Sequence, residues 1–294
     1  MKILNGYAPD LRGRDALALS GVIATALSAH VTVANVRPAT WETPGHGRVD
    51  AEWKAYLRDR QAAALAAAAK AGEEAGLRDV APATTVHRSA GLGLIRLAAQ
   101  EESDLIVIGS GPHGPRDRIA VGGTADELLH LSRTPVGIAP RGYAVDPPET
   151  LTRLTFAYLK SPTCDDGLLL AIRAAGKLQL PLRLITVLLK EHGTPPVEEG
   201  ILEEVREQCE RDLRAAVQGP RRTAALRCGV STEVVAGPDA TRALAETTWL
   251  PGELLICGSS SAGPLRRVFV GDMSLKIVRA APCPVVLLTR SSTR

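Results

Sequence analysis

The residues best placed to do chemistry in this 294-residue chain stand in two loops rich in glycine and small side chains. The first, GSGPHGPRDRIAVGGT, runs from Gly109 to Thr124, and the second, GSSSAGPLRRVFVGD, from Gly258 to Asp272. Each follows an apolar run, DLIVIG or ELLICG, and each ends where a helical pattern begins. A loop of this kind can bring backbone N–H groups against phosphate oxygens. The start of the next helix adds free N–H groups and the positive end of its dipole. The chemistry would be binding of a nucleotide or another phosphorylated ligand. Candidate contacts are Gly109, Ser110, Gly111, Gly114, Gly122, Gly123 and Thr124 in the first loop, and Gly258, Ser259 and Gly271 in the second. The competing reading is that the glycines only permit tight strand-to-helix turns. Both stand at this point.

Neighbouring side chains modify that picture. Arg116 and Arg118 in the first loop, and Arg266 and Arg267 in the second, read either as phosphate clamps or as solvated surface charge. Thr124-Ala125-Asp126-Glu127 has the T-x-x-E pattern of a capping box, which would occupy Thr124 without a ligand. Asp272 stands at the second helix start, where a carboxylate takes the free amides itself and repels an anion. His113 is the one histidine inside a candidate loop, and the six histidines never pair at metal-ligand spacing. Cys257 ends an apolar strand beside the second loop and reads as packed and inert. Asp165 and Asp166 read as partners of a helix start. Gly109–Gly114 spells G-x-G-x-x-G, but it follows a late strand and runs into Pro115 rather than a helix. Gly258–Ala262 misses the nucleophile elbow by its last residue. With no convergent nucleophile, base or metal set, the expectation is a binding protein and not an enzyme.

The elements that must position these loops occur twice. Gly109, Gly122 and Pro135 recur as Gly258, Gly271 and Pro284 at one constant spacing. Upstream, KILNGY (2–7) corresponds to RLTFAY (153–158). Helix patterns follow at 15–29 and 165–178, and strands at 30–36 and 182–189. Long helices follow at about 50–75 and 197–217, strands at 84–88 and 231–237, and helices near 91–100 and 239–248. Strands alternating with helices predict a parallel sheet covered on both faces, and apolar runs suit strands buried on both sides. The expectation is two doubly wound α/β domains of five mainly parallel strands, residues 1–142 and 151–294. They are joined through RGYAVDPPET (141–150), where Pro147 and Pro148 oppose helix. In such sheets ligands bind beyond the carboxyl ends of the strands. The Gly/Pro segment 43–48, flanked by Trp41 and Trp53, reads as a loop or flap near a pocket mouth, and 190–200 is its counterpart.

Composition narrows the class. Apolar residues make up 45% and charged residues 23%, which are globular values, while aromatics are only 3%. The net charge of +3 gives no footing for nucleic acid or an anionic membrane. Five cysteines, odd in number and never spaced C-x-x-C, argue against disulfides or zinc and for a reducing compartment. The first residues, MKILNGYAPD, carry no h-region or cleavage site and so predict no signal peptide, and no apolar run reaches membrane length. The expected location is the cytoplasm.

The repeated block resembles the universal stress protein family in a tandem two-domain form, and the resemblance covers nearly the whole chain. It implies a Rossmann-like fold of the adenine nucleotide alpha hydrolase type and a stress-response role. Nucleotide-binding members carry G-x2-G-x9-G-[ST] after the fourth strand to hold ATP, with Mg²⁺ accompanying it, and an Asp just after the first strand. Here the first pattern falls on Gly109, Pro112, Gly122 and Gly123, with Thr124 one residue later. The second falls on Gly258, Ser261, Gly271 and Asp272. Ala8 and Leu159 replace the first-strand Asp. The resemblance implies adenine nucleotide, mainly in the first half. These departures favour the alternative, a nucleotide-independent partner-binding scaffold whose protein partner is unknown. In relatives, terminal strands of two domains pair. The resemblance therefore implies that PVGIAP (135–140) and PVVLLT (284–289) join within this chain as an intramolecular pseudo-dimer, with room for further dimerisation.

Overall fold

The computed structural model describes residues 1–38, 51–77, 80–189, 196–218, 227–258 and 272–289. The Trp41 and 43–48 segment, most of its 190–200 counterpart, and Ser259 through Gly271 lie outside the described residues. The chain divides into two compact units, Met1–Pro147 and Pro148–Arg294.

In the first unit the strands are β1 (Lys2–Gly6), β2 (His30–Pro38), β3 (Val80–His87), β4 (Leu105–Gly109) and β5 (Val136–Ala139). They are parallel, in the order β3-β2-β1-β4-β5. The helices are α1 (Leu11–Leu27), α2 (Ala51–Glu74), α3 (Ala90–Gln100) and α4 (Gly123–Leu131). Helices α1 and α2 touch each other, as do α3 and α4, so the sheet is covered by one pair on each face. Ile3, Leu4, Val33, Ile106 and Ile138 from the strands are buried against Leu17, Ile23, Leu97 and Leu128 from the helices. Each such side chain contributes about 1.5–3 kcal/mol on leaving water.

The second unit repeats the plan. Strands β6 (Arg153–Ala157), β7 (Leu182–Leu189), β8 (Val230–Gly237), β9 (Glu253–Cys257) and β10 (Val285–Leu287) are parallel in the order β8-β7-β6-β9-β10. The helices are α5 (Pro162–Leu178), α6 (Pro196–Val217), α7 (Ala240–Ala245) and α8 (Asp272–Ala280). The doubly wound parallel α/β plan read from the sequence is the observed one in each unit.

Several boundaries differ, each for a local reason. Helix α1 begins at Leu11 rather than Asp15, because the Asp10 carboxylate accepts the amides of Arg12 and Gly13. Helix α5 begins at Pro162, with Ser161 as its cap. Asp165 therefore sits one turn in, and its carboxylate accepts the Tyr158 hydroxyl at 2.8 Å. Strand β3 starts at Val80, four residues earlier than expected. Helix α7 is six residues long instead of about ten. Thr247 and Thr248 leave the helix to bond Arg183, Arg153 and Glu233 at the foot of the sheet. In the linker, Tyr143–Val145 makes one 3-10 turn. Buried Asp15 holds it by accepting the amides of Gly142 and Ala144, each at 2.9 Å.

Candidate cleft at the carboxyl ends of β1, β2 and β4

In the first unit the carboxyl ends of β1, β2 and β4 and the amino end of α4 enclose a cleft of about 310 Å³. Gly6, Tyr7 and Ala8 form one wall, and Ala34, Asn35 and Val36 another. Leu94 from α3 and Ile108 from β4 make an apolar floor. Asn35 fixes the β1 exit by donating its amide to the Tyr7 carbonyl at 3.2 Å, and the Tyr7 amide bonds Ala34.

Close backbone approach explains two glycines. A Cβ on Gly109 would overlap the Arg12 carbonyl oxygen, and one on Gly13 the carbonyl oxygen of Ala8. Those glycines let the β1–α1 turn and α1 press against the end of β4. Ser110 serves the loop itself. Its hydroxyl accepts the Ala120 amide at 2.8 Å and donates to the Gly111 carbonyl, while the Gly111 amide bonds Ala120.

The start of α4 differs from the capping-box expectation. The cap is Gly122 in extended conformation, no side chain caps the helix, and Thr124 is its second residue. Glu127 does not reach back to the helix start. Its carboxylate lies against Gly91 of α3, where a Cβ would come within 2.5 Å of it. The first-turn amides of α4 are therefore left to solvent or a ligand. A Cβ on Gly123 would meet nothing within 4 Å, so the ground in front of those amides is open.

Of the first-loop candidates, Gly109, Ser110, Gly111, Gly122, Gly123 and Thr124 line the cleft together. Gly114 does not line it; it is buried in the loop, and its carbonyl accepts the Arg141 guanidinium at 2.7 Å. His113 is exposed and Arg116 lies beside Asp117, outside the cleft lining. Arg118 donates to the Asp117 carbonyl. The sequence reading missed Arg12, a cleft-lining cation whose Nε and Nη2 hold Asp10 at 2.8 and 2.5 Å. Partial burial pushes the Asp10 carboxyl up. The Arg12 hydrogen bond, backed by the Gly13 amide, outweighs it and leaves the group below the usual carboxylate range. The D-x-R spacing marks the cap and first turn of α1, but nothing in it places Arg12 at the cleft.

In the second unit, Gly258 follows β9 and its carbonyl accepts the Ser274 hydroxyl at 3.3 Å. Helix α8 begins at Asp272, at the position that Gly123 holds in the first unit. The other second-loop candidates, Ser259 and Gly271, lie outside the described residues. Tyr158 is buried, and burial together with the Asp165 carboxylate raises its phenol. Burial lifts the Cys164 thiol to about 11 and that of Cys257, fully enclosed, to about 12. These are not reactive thiolates.

The family pattern matches the chain twice, over residues 1–140 and 151–289, and its description is the universal stress protein family. This chain belongs to the universal stress protein family. A universal stress protein of Mycobacterium tuberculosis (strain ATCC 25618 / H37Rv) is 33% identical over 98% of this chain and 99% of that protein. One from Mycobacterium bovis (strain ATCC BAA-935 / AF2122/97) matches equally. Among solved structures, a universal stress protein from Archaeoglobus fulgidus DSM 4304 superposes with a TM-score of 0.63 at 19% identity, covering 98% of both chains. One from Pseudomonas aeruginosa UCBPP-PA14 gives 0.60 at 17% identity, over 99% of this chain and 94% of that one. This universal stress protein is thus a tandem form with a cleft in its first unit. Among the described residues no helix is long and apolar enough to cross a membrane, and no group of three or more His, Cys, Asp or Glu could hold a metal ion.

Proposed function

We propose that this protein is a cytoplasmic stress-response regulator that binds an adenine nucleotide in the cleft of its first unit. The uncapped amino end of α4, opening on a cleft at the carboxyl ends of three parallel strands, carries the reading. The amides of Gly123, Thr124 and Ala125 would take a phosphate, with the Thr124 hydroxyl beside them. The apolar surface of Ala34, Val36, Leu94 and Ile108 would take the base. ATP fits the donor chemistry at one phosphate, and any Mg²⁺ would arrive with the nucleotide.

The second reading is a scaffold that works without nucleotide. It is favoured by Ala8, since no described residue lining the cleft is a carboxylate, and by the acidic residue Asp272 at which α8 begins in the second unit. Calorimetric titration with AMP and with ATP plus Mg²⁺ separates the two. One site per chain for either nucleotide supports the regulator. No heat and no thermal shift with both at millimolar concentration overturns it in favour of the scaffold.

A further inference from the structure

We propose that the cleft grips a single phosphate, so that this protein takes a nucleoside monophosphate at least as well as a triphosphate. The inference rests on the nucleotide reading above and follows from where the anion-binding groups are spent.

A chain of phosphates needs three kinds of partner: helix-terminal amides, loop amides and cations. Helix α4 supplies the first kind. Its uncapped amides converge on one point and serve one phosphate. The part of the loop that borders the cleft has its donors committed elsewhere or lacks them. The Ser110 amide bonds the Ala139 carbonyl, the Gly111 amide bonds Ala120, and the Asp117 amide bonds Arg141. Pro112 and Pro115 have no N–H at all. Pro112 occupies the position of the family pattern's second glycine, and it is the last residue of this stretch to line the cleft.

Cations are equally short. Among the described residues lining the cleft, Arg12 is the one charged side chain. Asp10 holds it through two hydrogen bonds and stays ionised, so the pair brings no net charge. Each phosphate beyond the first adds about one negative charge that nothing among the described lining residues offsets. The volume agrees, since about 310 Å³ lies at the lower end of the roughly 300–1,000 Å³ of small-molecule sites.

The test titrates the full chain with AMP, ADP and ATP at fixed ionic strength, with and without Mg²⁺. The expected result is that AMP binds as tightly as ATP, or tighter, in both conditions. Affinity rising by about tenfold or more from AMP to ATP in either condition overturns the single-phosphate grip and leaves the nucleotide reading standing. No binding by any of the three overturns the nucleotide reading itself. Gly123→Asp locates the grip, because it puts a carboxylate at the start of α4, where a side chain has open space. It is expected to weaken AMP by about tenfold or more with an unchanged melting temperature. AMP affinity retained in that variant overturns the proposal.

Discussion

The two units share a fold but spend their polar groups at opposite ends of the sheet. In the first unit the carboxyl ends of the strands are open and the amino ends are plain. Leu4 and Thr32 pair across β1 and β2, and exposed Asp104 accepts the Lys2 amide at 2.8 Å. In the second unit the same foot of the sheet holds a buried charge cluster. Glu253 receives Arg183 at 2.7 Å and Arg153 at 2.6 Å, and Thr155 donates its hydroxyl to the same carboxylate. The guanidinium of Arg183 also meets Glu233, Thr247 and the Thr248 carbonyl, and lies 4.5 Å over the Trp249 ring.

At the carboxyl ends the contrast reverses. Gly13 lets the first unit's β1–α1 turn press on α1. Cys164 stands at the matching third position after the cap in the second unit, taking the Leu159 amide on its sulfur and giving its proton to the Ala157 carbonyl. Tyr158 closes onto Asp165 beside it. The cleft and the cluster are two uses of one frame. The first unit leaves the amino end of α4 without a side-chain cap, and the second uses its polar groups to pin chain to chain.

The sharpest way to break this contrast is to remove the centre of the cluster. Glu253→Ala strands the buried Arg183 guanidinium and the half-buried one of Arg153, and is expected to cost about 3–5 kcal/mol. Its first-unit counterpart, Asp104→Ala, lies on the surface and should cost no more than about 1 kcal/mol. Urea unfolding followed by hydrogen exchange in each unit reads both values. Equal costs would dissolve the distinction between the two feet.

Exchanging the turn residues comes next. Gly13→Cys drives a side chain into the Ala8 carbonyl and is expected to cost about 1–3 kcal/mol while closing the cleft. Cys164→Gly loses a smaller packing contribution plus about 0.5–1 kcal/mol of helix propensity. Thermal melts and AMP titration of the two variants check the pair.

Alkaline pH should separate the units without any mutation. All five cysteines belong to the second unit, and burial raises the thiols of Cys164, Cys257 and Cys283. An unfolded thiol ionises near pH 9 while the folded ones hold their protons to higher pH, to about 11 at Cys164 and 12 at Cys257. Their stabilisation is therefore complete below pH 9 and is lost as pH rises through 9 to 12. Exchange protection should fall first in the second unit above pH 9. Simultaneous loss in both units would contradict this.

The smallest effect is expected at Thr155→Val, which removes one hydroxyl from between Arg183 and Glu253 and leaves the ion pair intact. A loss of about 1 kcal/mol in the second unit, read by urea unfolding, would show that the hydroxyl is one spoke of the cluster and not its hub.

The contrast also marks what could be read from residues alone. The repeat, the strand–helix order and the candidate loops were legible, because periodic apolar runs and glycines at constant spacing are local signals. The capping box at Thr124 was a false signal. T-x-x-E fits a helix start, yet Gly122 lies with its Cβ position 3.6 Å from Gly111, and that approach accompanies a helix start two residues earlier. Arg12 was missed because nothing local says that the first turn of α1 faces the end of β4.

The sequence by itself determined the parallel doubly wound sheets and the duplication, since hydrophobic period and repeat spacing need no tertiary knowledge. Only the tertiary structure decided where charge is buried. Arg183 and Glu253 sit at the amino ends of apolar strands. Strands β7 and β9, seventy residues apart at these positions, flank β6 and bring the two charges within 2.7 Å. Low dielectric makes such a pair tolerable only when the partners are placed together, and that placement belongs to the fold and not to either segment.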